Sequence, residues 1–514
     1  MKLESRRIPA TQHSKGAMSL RPLSVALILA GLSGPAWALD YTWTSGNYTA
    51  SFLPSPIGST DTVLALSGAG KTLNIALIND GTFAQLDDSL TIGNTFQNNG
   101  TYQIGGDFRV SGSSAFTNDD TLVKTAGTGE ARLSKALVNN SIIDAGGATI
   151  RYADSAKTFN AGTVFANGTH IVDVSSTYTA GFTLDNNLVF ESGNQAVAPA
   201  TGITLNSALQ WHGGTMSGKW TNASGQTLTA SSGASKTLNG AFVNDGTFAQ
   251  LDDSLTIGNT FQNNGTYQIG GDFQVSGSSA FTNNGTLVKT AGTGEARLSK
   301  ALATTSASYM DVQTGQLSVV HELTNNGVIR VAAGAVFNAE SQNFTSAGTL
   351  TGDGAIKTAA GKDIENSGQI NPGDVIGSLT LDGDVLLHGA SAINFELADL
   401  ASFDSVTVTG DISLDGTITL LNMGYTPMLG DSFVVMTVGG ASTGSFHTLE
   451  SSGFGQAFTF DVAYSAHDVT VTVTAVPEPP AYALLLSGLS LVGGLAARQR
   501  RSMSRSNNEE SIRN

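Results

Sequence analysis

The chain has 514 residues, of which 61 are Gly, 11 Pro and none Cys, with 13% charged and 40% hydrophobic residues. The lack of cysteine excludes disulfides, thiolate nucleophiles and Cys-ligated metals, and regular apolar alternation argues for a folded β protein over a disordered one. The formal charge is −16, and with both ends set aside, 15 basic and 37 acidic residues remain between residues 39 and 475. That balance of −22 disfavours nucleic acid and anionic lipid as partners.

Residues 1–38 carry Lys2, Arg6, Arg7, Lys15 and Arg21, an apolar stretch from Leu23 to Leu32, and Ala36-Trp37-Ala38. This order predicts a secretory signal peptide cut after Ala38, and hence use of the export machinery. Residues 39–60 are aromatic, broken by Gly and Pro, and outside the repeat that follows, so they are expected to form an N-terminal cap. The stretch resembles the Trp-containing openings of large repetitive surface proteins of Gram-negative bacteria.

The segment TFQNNGTYQIGGDFQVSG stands at residues 260–277 and, with one change, at 95–112. Its Asn-Asn-Gly-Thr centre reads as a turn flanked by alternating strands. Variants of that turn begin at Asn79, Asn98, Asn118 and Asn139, and again at Asn222, Asn244, Asn263 and Asn283. A beat of about 20 residues, with three short apolar groups per unit, predicts a right-handed parallel β-helix over residues 61–370. A set of β-sandwich modules is the competing reading, and sandwiches rarely keep one period for so long. Residues 71–137 and 236–302 match at an offset of 165, differing only at Ile75/Gly240, Leu77/Phe242, Ile78/Val243, Arg109/Gln274, Asp119/Asn284 and Asp120/Gly285. The offset is near eight coils, and a duplication of whole coils keeps the stacking register.

Residues 371–475 are expected to end the β-helix with a β cap. Asn371-Pro372-Gly373, Ser378-Leu379-Thr380, Asp404-Ser405-Val406 and Gly444-Ser445-Phe446 resemble the C-terminal end of autotransporter-type β-helical passenger domains, over roughly residues 368–450. About 65 residues follow, too few for an outer-membrane barrel of about eight or more strands. Residues 476–501 contain Val476-Pro477-Glu478-Pro479, an apolar run from Ala481 to Ala497, and Arg498, Arg500 and Arg501, followed by a polar tail, 502–514. This order resembles a PEP-CTERM sorting signal. The resemblance implies an exosortase-type processing enzyme as partner and removal of the tail after transient inner-membrane insertion. The span is short for a bilayer, and the Arg cluster would stay on the cytoplasmic side. A plain C-terminal membrane anchor is the alternative.

No metalloprotease, nucleophile-elbow or phosphate-loop motif is present, and the seven histidines lack metal-ligand spacing. GGDF at 105–108 and 270–273 lies within the coil repeat and is read as part of it. Asp87, Asp88 and Asp107, with Asp252, Asp253 and Asp272 in the second copy, fall at similar places in adjacent coils. Stacked acids point either to structural Ca²⁺ or to solvated turns. No other cofactor is expected. Sequons at Asn99, Asn167, Asn264, Asn284 and Asn343 follow from the turns.

Three functions are compatible with this reading. The first is a non-enzymatic exported protein of the cell surface, outer membrane or extracellular matrix; the sorting resemblance implies association with exopolysaccharide and biofilm. The second is an adhesin-like carbohydrate-binding β-helix, for which Trp211 and Trp220 are the suggestive pair. The third, a β-helical polysaccharide lyase or glycosidase, needs a carboxylate pair or a basic residue beside Ca²⁺, with Lys124, Arg132 and Lys135 as candidates.

Overall fold

The computed structural model describes residues 38–44, 46–48, 53–66, 70–184, 187–198, 202–231, 234–340, 343–454, 458–475 and 480–510. The sorting motif Val476 to Pro479 and all of the signal peptide except Ala38 lie outside these residues. The fold divides into two compact units, residues 1–350 with 354–364, and residues 351–353 with 365–514. The chain is an all-β parallel β-solenoid of about 20-residue turns with one C-terminal helix.

In the first unit each coil contributes three short strands, one to each of three faces. In one coil Thr82–Gln85 lies on face one, Leu90–Ile92 on face two and Phe96–Asn98 on face three. These strands pair in parallel with their counterparts one coil on: Phe83 lies opposite Tyr102, Leu90 opposite Val110 and Phe96 opposite Phe116. Like residues therefore stack. Phe83 and Tyr102 are parallel at 5.4 Å, Phe96 and Phe116 lie 5.0 Å apart, and all four are buried. Burial of each such ring stabilises the fold by roughly 1.5–3 kcal/mol. Within the segment expected to form the N-terminal cap, Asp40–Trp43 pairs in parallel with residues 62–65 and Gly46–Tyr48 with residues 71–73.

The duplicated segments do not occupy the same faces. Thr247–Gln250, the copy of face-one strand Thr82–Gln85, belongs to the continuous sheet of face two. Leu255–Ile257, the copy of Leu90–Ile92, belongs to face three. Phe261–Asn263 takes up the remaining side, in a six-stranded sheet that starts at Gly202–Leu205. Twenty-five strands separate equivalent positions, eight coils of three plus one strand. The expectation of whole coils is therefore corrected: the second copy is turned by one face. The solenoid tolerates this because each strand needs only an apolar-in, polar-out partner directly above and below it.

In the second unit the coils lengthen. Ser378–Asp382 pairs in parallel with Ser405–Val408, and Ala392–Asp399 with Thr417–Asn422. The pattern then reverses: Asp468–Ala475 runs antiparallel to both Ser432–Val438 and Thr459–Tyr464. A hairpin folded back in this way ends the parallel stacking. Helix Pro480–Glu510 follows, with Leu485, Leu486, Leu489, Leu491, Val492 and Leu495 exposed.

Candidate functional site

The predicted processing residues are placed as follows. Ala38 and Leu39 are exposed immediately before the first strand, while Ala36 lies outside the described residues. Arg498, Arg500 and Arg501 are exposed on the helix Pro480–Glu510, which also carries the apolar run from Ala481. Among the described residues no helix is long and apolar enough to cross a membrane.

The acidic candidates do not converge. Asp107 is bound by the Lys124 ammonium at 2.8 Å and by the Gly129 amide, which hold its carboxyl below the usual range. Asp272 has the same arrangement with Lys289 and Gly294. Asp88 and Asp253 sit at left-handed φ values of 63° and 62°, and each accepts a hydrogen bond from the next residue's amide. Among the described residues no group of three or more His, Asp or Glu is gathered for a metal ion.

Lysines and arginines that a lyase would recruit are likewise engaged. Lys124 and Lys289 are buried against their aspartates and donate to carbonyls two and three residues on. The Lys135 ammonium reaches the carbonyls of Ile92 and Ser114 inside the coil stack, and burial lowers its pKa to about 8. Arg132 shares Asp154 with Arg109. His170 is a core residue: its Nδ1 pairs with Tyr152 Oη at 2.8 Å, and burial lowers its pKa to about 4. Trp211 and Trp220 are buried, their indole N–H groups donating to Gly213 and Ser217 carbonyls. They offer no aromatic row on the surface.

What the sequence reading missed is an internal amide ladder. The first Asn of each predicted turn ends a strand and points inward. Asn79 donates to Asn98 at 2.6 Å, Asn98 to Asn118 at 2.7 Å and Asn118 to Asn139 at 2.7 Å. Each Nδ2 also donates to the carbonyl of Thr101, Thr121 or Ile142 respectively. A second ladder runs from Asn222, just before the second copy, through Asn244, Asn263 and Asn283 within it, on the shifted face. Both ladders begin with an oxygen that has no donor, Asn79 Oδ1 and Asn222 Oδ1. The available signal was an Asn two residues after an aromatic or leucine, returning in four successive coils from Asn79 and again in four from Asn222.

The second Asn of the turn builds an external counterpart. Asn99 Nδ2 donates to Asp80 at 2.7 Å, Asn140 Nδ2 to Asp119, and Asn160 Nδ2 to Asn140 at 2.7 Å. Amides interleaved with carboxylates relieve the repulsion that stacked acids would otherwise suffer. Sequon nitrogens are occupied in this way: Asn264 donates to Asp245, Asn284 to Asn264 and Asn167 to Asp144.

In the second unit Asp404, from one of the resemblance motifs, is held by two backbone amides. Its two oxygens accept the amides of Gly377 at 2.8 Å and Glu396 at 2.9 Å, tying the loop after Asn371-Pro372-Gly373 to the neighbouring strand. Burial, with Glu396 and Asp353 nearby, raises its pKa to about 7. These contacts account for that Asp as a structural clasp.

No family model and no curated protein matches the chain.

Proposed function

We propose that the protein is a non-enzymatic exported component of the cell surface or extracellular matrix, sorted through its C-terminal segment and associated with exopolysaccharide. The observation that carries this reading is the order of the C-terminal segment: Val476-Pro477-Glu478-Pro479, then an apolar run and an Arg cluster on one helix, all after a β-solenoid. The 17 residues from Ala481 to Ala497 would span about 25 Å as a helix, short of a hydrocarbon core of about 30 Å. Such a span suits transient insertion, with the arginines held at the cytoplasmic surface, followed by cleavage. The internal amides and ion pairs described above give the buried polar residues structural roles, which also favours a scaffold over an enzyme.

Intact mass of the protein, recovered separately from membranes and matrix of its native host, tests this. The expected product starts at Leu39 and ends between Val476 and Pro479. A chain still ending at Asn514 in the inner membrane would refute sorting and leave the tail as a simple anchor.

A further inference from the structure

We propose that the two copies of the duplicated segment form two equivalent carbohydrate-binding patches on different sides of the solenoid, so that one molecule cross-links two chains of uncharged polysaccharide. The proposal rests on the surface-matrix reading and adds the ligand class and the valency.

Each patch lies at a corner where the GGDF stretch passes between two faces. The half-buried Phe108 ring lies against Gly106, where a Cβ would come within 2.5 Å of the ring carbons. Gly105 packs on Leu86, which remains 37% exposed. Beside them the exposed Asp107 carboxylate is held in place by the buried Lys124 ammonium and the Gly129 amide. An aromatic ring and an aliphatic side chain next to a fixed, ionised acceptor suit a pyranose ring, whose C–H face is apolar and whose hydroxyls donate. The acidic balance of the surrounding chain selects an uncharged glycan over a polyanionic one. The second copy repeats the arrangement: Phe273 lies on Gly271, Leu251 is 43% exposed, and Asp272 is 2.8 Å from Lys289.

The one-face shift decides the valency. The first patch lies between strand Thr101–Ile104 on face one and Arg109–Ser111 on face two; the second lies between Thr266–Ile269 on face two and Gln274–Ser276 on face three. They are separated by about a third of a turn, and by roughly 40 Å along the axis at about 4.8 Å per coil. A polymer lying along one side meets one patch, and the other is free for a second chain. Two such contacts per molecule bridge a network and add avidity.

The test uses the full chain with beads coated in cellulose, curdlan, dextran or mannan, scoring binding and bead clumping. Wild type is expected to bind at least one coating and to clump those beads. Phe108→Ala or Phe273→Ala alone should keep some binding, with apparent affinity at least tenfold weaker, and lose clumping. The double Ala variant should lose both, while Phe108→Tyr/Phe273→Tyr retains both; matching thermal melts exclude misfolding. Failure of wild type to bind any coating, clumping by a single Ala variant, or undiminished binding by the folded double variant would each overturn the proposal. Recovery of tail-cleaved protein from the matrix would leave the surface-matrix reading standing in all three cases. Recovery of uncleaved protein in the inner membrane would instead refute that reading, whatever the beads show.

Discussion

At the residue scale, the internal amide ladder is the most consequential feature. An amide buried in an apolar stack costs stability unless its donors and acceptors are met, and here each Asn meets the next. Asn118 accepts from Asn98 and donates to Asn139, so its loss removes a ladder partner on both sides and leaves Asn139 Oδ1 without that donor. Asn79 has one neighbour in the ladder and an oxygen already without a donor. Asn118→Leu should therefore lower the unfolding free energy by roughly 2 kcal/mol or more, and Asn79→Leu by clearly less. Denaturant titration of both variants checks this; equal losses would contradict the ladder account. The ladder was only half legible in the sequence. Asn98 and Asn99 are adjacent and alike, yet one is buried inside and the other caps the outside. Turn chemistry describes the second of them, whereas the fate of the first depends on which coil lies above it.

At the element scale, the clasp at Asp404 joins a loop to a strand that sequence spacing does not bring together. Its carboxyl is buried, and its pKa is raised from the ordinary Asp value to about 7 by burial and by Glu396 and Asp353. The folded state holds a proton that the unfolded chain has already released, so stability from this group is full below about pH 4. It is lost as pH rises through about 7. His170, whose pKa burial lowers to about 4, works in the opposite direction, so the test is the difference from Asp404→Asn, which cannot ionise. The stability of wild type relative to that variant should fall as pH rises across this range. An unchanged slope in that variant would assign the effect elsewhere. The motif around Asp404 was visible as a resemblance, but its role required the Gly377 and Glu396 amides to be placed against it.

At the scale of the whole molecule, stability is shared coil by coil, because each coil contacts its neighbours and little else. Removal of residues 137–301 joins Ala136 to Leu302, reproducing the local sequence Ala301-Leu302. The strand Leu302–Thr304, which pairs with residues 281–283, would then meet their counterparts in the first copy. This shortened protein should unfold cooperatively with a Tm within a few degrees of the parent. Aggregation or a non-cooperative melt would show that the two copies are not interchangeable building units. Removing one copy also removes one proposed patch, so bead clumping should be lost while binding persists.

The period of about 20 residues, the three apolar groups per coil and the duplication were all decided by sequence alone, because parallel stacking repeats the same local pattern at every turn. The tertiary structure decided which Asn faces inward, which lysines are buried against which carbonyls, and on which face each copy lies. The last of these could not be counted from the sequence. An offset of 165 residues measures chain length, whereas orientation around a solenoid depends on the number of corners turned, and coils of unequal length hide one extra strand.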